Sequence, residues 1–249
     1  PQLKQEESFS ASFGFTAKIP DANLSLTVDG FFTGIDDRVV LTGNFNIPDG
    51  IVTGAESARF FANAIDTETK GFDIVVSHDA TVSDVRITTD LAVTFAYTQR
   101  VDEINASPEL ASQIGTYFGE RESYFLETAT PRFKANLGHV IHGDKWKLFV
   151  RNSFFGAVTN PDVTQEPSLS GSGADYHPIF GDKLLTDMSF GYDFTENMTI
   201  TIGSSNIFNV FPTASPANLT SGNNFIYPRV TSQFGINGRT VFARLKFKL

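Results

Sequence analysis

The sequence predicts an all-β chain: an antiparallel meander of about nine strands that crosses a membrane as part of a β-barrel. Three observations predict it. Nine segments alternate apolar and polar residues with period two. Their apolar faces are free of charge, while the opposite faces carry Asp90, Lys134, Lys147, Arg151, Asp187, Arg244, Lys246 and Lys248. The gaps between the segments run short, long, short, long. A lipid-facing Arg or Lys near the bilayer midplane costs about 2–4 kcal/mol, so a membrane-facing side should be clean. Several segments hold their pattern for about 9–11 residues, the length that crosses a bilayer when tilted, against roughly five or six in soluble sheets.

The first strand is expected over Ser8–Lys18, with Phe9, Ala11, Phe13, Phe15 and Ala17 on one face. A tight turn at 20–23 leads into Leu24, Leu26 and Val28, and that strand runs to about Ile35. A long connection follows to about Ala62. Phe72, Ile74 and Val76 mark the third strand, 78–84 a turn, and Ile87 to Tyr97 the fourth strand. Residues 100–123 form a second long connection with a helical turn near 108–114. The fifth strand is expected over 124–141, and 142–144 turns into a strand from Trp146 to Arg151. Residues 159–181 are loop, including the glycine–serine run at 170–173. Asp187 to Phe194, a turn at 195–197, and Met198 to Gly203 form a further hairpin. A last long connection spans 209–238, before a strand over Arg239–Leu249. Tyr97, Trp146, Tyr192, Phe194 and Phe247 gather toward strand ends, as interfacial aromatic girdles do.

Composition narrows the function classes. Of 249 residues, 41% are hydrophobic, and no run approaches the roughly 18 apolar residues of a transmembrane helix. Cysteine is absent, which removes disulfides, thiolate metal sites and cysteine catalysis. The net charge of −9 argues against a nucleic-acid partner. The four histidines lie apart; His139 and His142 fall on opposite faces of one strand, so shared metal ligation is not expected. Without a catalytic constellation or phosphate loop, the chain reads as neither an enzyme nor a cofactor carrier.

Four stretches carry a resemblance. Ile35-Asp36-Asp37-Arg38 through Phe45, Ser57-Ala58-Arg59 through Asp73, Gly203-Ser204-Ser205-Asn206-Ile207-Phe208-Asn209-Val210-Phe211-Pro212, and Phe234-Gly235 through Leu245 resemble the C-terminal barrel of TonB-dependent outer-membrane receptors. The resemblance implies the last strands of a 22-strand barrel in the bacterial outer membrane. It implies N-terminal strands and a plug domain in partnership with residues 1–249, neither of them present in this sequence. It further implies a TonB-type energy-coupling protein acting through that missing part, outer-membrane lipid around the barrel, and uptake of a scarce solute. A ferric siderophore or other iron complex comes first, then cobalamin. A glycan or peptide importer with a surface lipoprotein, and a passive porin, are the alternatives. An odd number of strands leaves an unpaired edge in lipid. A partner segment is therefore expected to pair with Ser8–Lys18 and with Arg239–Leu249.

Ligand-binding candidates fall in the long connections: Arg59, Phe60, Phe61, Tyr117, Phe118, Phe225 and Tyr227. Each reads either as a ligand contact at the barrel mouth or as loop-on-loop packing, and the sequence leaves both open. Asp36-Asp37-Arg38 reads as a solvated ion-pair cluster at a strand exit, and His177 as a loop residue with no partner of fixed spacing.

Overall fold

The computed structural model describes residues 3–46, 57–106, 108, 111–162, 176–220, 222, 224–228 and 233–248. Nine strands form one antiparallel sheet: β1 (Glu7–Ile19), β2 (Leu24–Leu41), β3 (Phe61–Val82), β4 (Val85–Val101), β5 (Phe133–His142), β6 (Trp146–Phe155), β7 (Lys183–Thr195), β8 (Met198–Ser205) and β9 (Thr240–Phe247). Each strand is hydrogen-bonded to the next in chain order, with β1 and β9 at the edges. The expected nine-strand meander is the observed fold. Two helices, α1 (Ile114–Tyr117) and α2 (Glu120–Glu127), sit in the loop between β4 and β5. No described helix is long and apolar enough to cross a membrane.

The register sorts the side chains into two faces. One row runs Phe15, Val28, Ile74, Val93, Ala135, Phe154 and Leu184 across seven strands. The next row, on the opposite face, runs Gly14, Asp29, Asp73, Thr94, Lys134, Phe155 and Lys183. Polar groups on this second face bond across strands: Thr94 donates to Asp73 at 2.6 Å, Ser77 to Asp90 at 2.6 Å, and Arg151 pairs with Asp187 at 2.5 Å. Two pairs of polar side chains on the apolar face bond each other. Thr89 shares a hydrogen bond with His139 at 3.0 Å, and Thr186 donates to Asn152 at 2.7 Å. Such pairing is what an apolar medium demands of a buried polar group.

On β3 the apolar face runs Phe72, Ile74, Val76, His78, Ala80, Val82. Ten residue steps at about 3.3 Å, tilted near 40°, span about 25 Å, the height of an outer-membrane apolar band. β2, β3 and β4 have 18, 22 and 17 residues, so all three outrun the band, and they do so at the long-loop end.

Several expected boundaries move. The fifth strand starts at Phe133, not near 124, because Glu120–Glu127 is helical. Glu120 and Glu122 sit in its first turn, where the helix dipole favours carboxylates, and Glu122 accepts a hydrogen bond from the Gly119 amide at 3.2 Å. Pro131 then keeps the chain out of the ladder until just before Phe133. The connection expected over 36–62 is shorter: a bulge after Ile35, with Asp37 at φ 52°, lets β2 continue to Leu41 and pair with Phe61. The turn expected over 78–84 shrinks to Ser83 and Asp84, with Ser83 at φ 53°, since Asp79 to Val82 pair with Thr88 to Val85. The helical turn expected near 108–114 lies later, at 111–117, with 109 and 110 outside the described residues. The run 170–173 also lies outside them.

Placing Arg at position 91, in the middle of the apolar face, should destabilise the sheet by about 2–4 kcal/mol in lipid. Ala92→Arg, on the other face, should cost less than about 1 kcal/mol. Urea unfolding in phospholipid vesicles measures the difference.

Candidate functional site

The upper ends of β2, β3 and β4 carry a small hydrophobic core built from the loops. Phe45 stacks on Phe60 at 5.4 Å between ring centroids, and Tyr117 meets both edge-on at 6.3 and 6.0 Å. Ala62, Ala64, Ile65 and Phe118 complete it. Backbone bonds join the loops to one another. The Gly43 amide donates to the Thr116 carbonyl at 2.9 Å, and the Asn105 amide to Ala64 at 2.8 Å. The approach at Gly43 is so close that a Cβ would sit 2.7 Å from the Thr116 oxygen. Burial pushes the Tyr117 phenol above its ordinary value.

Below this core, α2 roofs a concavity of about 700 Å³. Its wall is Ile35, Thr69 and Thr98 from the charged face of the sheet, and its roof includes Phe118, Arg121 and Phe125. Arg38 and Arg59 also line it. The Arg38 guanidinium donates to the Thr67 hydroxyl at 3.1 Å. Among the described residues neither Arg38 nor Arg59 has a carboxylate within ion-pair distance. Arg121 does, bonding Asp162 at 2.6 Å. Glu122 lines the concavity too, so in a chain of net charge −9 Arg38 and Arg59 leave it with a modest positive excess beside aromatic rings.

α2 divides its contacts by helical periodicity. Arg121 and Phe125 face the concavity, while Glu120 and Tyr124 face the loop between β6 and β7. Tyr124 stacks on His177 at 3.7 Å, and the Glu120 carboxylate lies 3.5 Å from the same imidazole. His177 also bonds the Asn160 carbonyl through Nδ1 at 2.9 Å. His177 thus has partners, from another loop, which is why no sequence spacing marked them.

The expected site residues therefore separate into groups. Arg59 and Phe118 line the concavity, Phe60 and Tyr117 sit in the core behind it, and Phe61 is 57% exposed. Phe225 and Tyr227 belong to the loop between β8 and β9, where Tyr227 stacks on Phe211 at 5.7 Å. That loop is five strand spacings from β3, about 24 Å at about 4.8 Å each. The Asp36–Arg38 cluster also divides: Asp37 faces Lys4 at 3.8 Å, whereas Arg38 turns into the concavity. Arg121 lies in the stretch expected as a long connection and Phe125 at the start of the expected fifth strand, so no expectation set them on one helix. Their i, i+4 spacing was the available signal.

A model of the TonB-dependent receptor-like β-barrel matches residues 1–207. The chain belongs to the TonB-dependent receptor family. It is accordingly an outer-membrane protein, with its short turns periplasmic, its long loops extracellular, and its charged face turned to the lumen. Its fold is similar to part of the outer membrane transporter YddB from Escherichia coli, at TM-score 0.66 and 12% identity over 99% of this chain and 33% of that one. The pyoverdine receptor FpvA from Pseudomonas aeruginosa is similar at TM-score 0.60 and 12% identity, over 99% of this chain and 30% of that one. The copper transporter OprC gives TM-score 0.60 and 15% identity, over 99% and 32%. The chain thus spans about a third of the length of these structures. No curated protein matches its sequence significantly.

Neutral Tyr117 stabilises the loop core fully below about pH 10, and that contribution disappears as pH rises through its raised folded value. Protection factors at 111–127, after correction for base-catalysed intrinsic exchange, should therefore fall as pH rises through that value. Tyr117→Phe should remove that fall.

Proposed function

We propose that this chain supplies the last strands, the lumen wall and the mouth loops of an active-transport receptor that imports a scarce solute. A ferric siderophore or other iron complex comes first, and cobalamin second. The concavity carries the reading: it opens on the lumen side at the extracellular end, and offers Arg38 and Arg59 beside Phe118 and Phe125. Arginine forks suit the carboxylate or other anionic oxygens of a chelate, and the rings suit its organic shell. Proteins of similar structure agree in kind: a pyoverdine receptor, an iron transporter from Neisseria meningitidis and a ferric enterobactin receptor.

The partners follow from the sheet. Edges β1 and β9 would pair with N-terminal barrel strands, which satisfies backbone groups that lipid cannot. A plug domain would fill the lumen and meet its polar face, including Asp29 and Asp73, which lie directly opposite each other. An energy-coupling protein would act through that N-terminal part.

Deleting the gene should abolish uptake of one iron complex or of cobalamin, and the intact gene should restore it. Arg38→Ala with Arg59→Ala should weaken binding of that solute about tenfold or more, at least about 1.4 kcal/mol. Unchanged uptake of every tested iron complex and of cobalamin would contradict the reading.

A further inference from the structure

The loop between β6 and β7 is tied to α2 by a short set of contacts. The Thr159 amide donates to the Thr128 carbonyl at 3.0 Å, Arg121 pairs with Asp162 at 2.6 Å, and the His177 ring stacks on Tyr124. Of these groups only an imidazole ordinarily changes charge between about pH 5 and about pH 8.

The surroundings of His177 suit its charged form. Its side chain is 11% exposed. Nδ1 lies 2.9 Å from the Asn160 carbonyl, and a carbonyl only accepts, so Nδ1 carries a proton. In the neutral ring Nε2 is then a bare acceptor. It is buried and has no hydrogen-bond partner among the described residues. The Glu120 carboxylate, which also only accepts, lies 3.5 Å from it. Two acceptors therefore face each other. A proton on Nε2 turns that opposition into a charge-assisted contact. The same charge lies flat against Tyr124, with ring centroids 3.7 Å and planes 15° apart, where a cation is attracted to the π face. The other charged groups of α2 have partners of their own. Arg121 holds Asp162, Glu122 accepts the Gly119 amide at 3.2 Å, and Glu127 accepts the Arg100 amide at 3.1 Å.

We infer that His177 is a proton-operated latch between α2 and the loop joining β6 to β7. The imidazolium bridges the Asn160 carbonyl and the Glu120 carboxylate and fixes α2 against the loop. The neutral ring leaves two acceptors opposed and loosens the contact. Because α2 carries Arg121 and Phe125 into the concavity, the latch sets how firmly that roof is held, whatever solute the concavity takes. The sign follows from linkage. The latched state gives the imidazolium an anionic partner, so it is favoured at low pH, and its advantage fades as pH rises through the histidine range.

Hydrogen exchange on the purified receptor, read as protection factors corrected for base-catalysed intrinsic exchange, tests the latch. Protection at 120–127 and 176–180 should be about threefold or more higher at about pH 5.5 than at about pH 8. Glu120→Gln supplies an amide N–H to the neutral Nε2, so protection of both segments should become the same at the two pH values. Asp162→Asn removes the neighbouring ion pair and should lower protection at both values while leaving the pH dependence in place. Equal protection of the parent at the two pH values would overturn the inference. So would a pH dependence that Glu120→Gln leaves unchanged.

Discussion

A bilayer interior offers no hydrogen bonds, and that constraint organises this molecule. Every strand must satisfy its backbone through its neighbours, so the chain goes back and forth as an unbroken antiparallel ladder. Once the ladder is fixed, side chains alternate between lipid and lumen, and each strand must carry two chemistries at period two. The row from Phe15 to Leu184 and the row from Gly14 to Lys183 are adjacent, yet one is apolar and the other mostly polar. A register slip of a single residue would exchange them, and the register shifts after Ile35 and after Asp193 lie toward opposite ends of the sheet, outside the band.

The extracellular side works under different rules. There the strands leave the lipid, and water can again satisfy polar groups. β2, β3 and β4 use that freedom to stand above the membrane and support a conventional hydrophobic core around Phe45, Phe60 and Tyr117. The core in turn holds α2 over the lumen. The arginines are thereby presented on a braced wall, since Arg38 follows a bulge anchored by Asp66 and Asn63, which bond the Asp37 backbone at 2.7 and 2.6 Å.

Legibility in the sequence followed the same division. Within the band, period two is imposed by lipid, so the segments around Phe9, Phe72, Leu91, Leu148 and Phe190 were readable as strands with their faces assigned. Outside the band no such period acts. The segment Tyr124-Phe125-Leu126 has a strand-like run of apolar residues, and only its neighbours Glu120, Glu122 and Pro131 signalled a helix. The concavity was half legible: Arg59 and Phe118 were singled out, but Arg38 was assigned to an ion-pair cluster. The contacts of His177 with Tyr124 and Glu120 join residues more than fifty positions apart, and no local pattern encodes them.

The central claim is that one face of this sheet meets lipid and the other the lumen. The chain has no cysteine, so single cysteines can be introduced from Ile87 to Tyr97 on β4 and spin-labelled without background. In the receptor reconstituted in lipid, collision with dissolved oxygen should peak at Ile87, Leu91, Val93 and Phe95 and fall at Thr88, Asp90, Ala92 and Thr94. A period-two oscillation in that phase is the predicted result. Oxygen accessibility without alternation, or alternation with the two sets exchanged, would contradict the account.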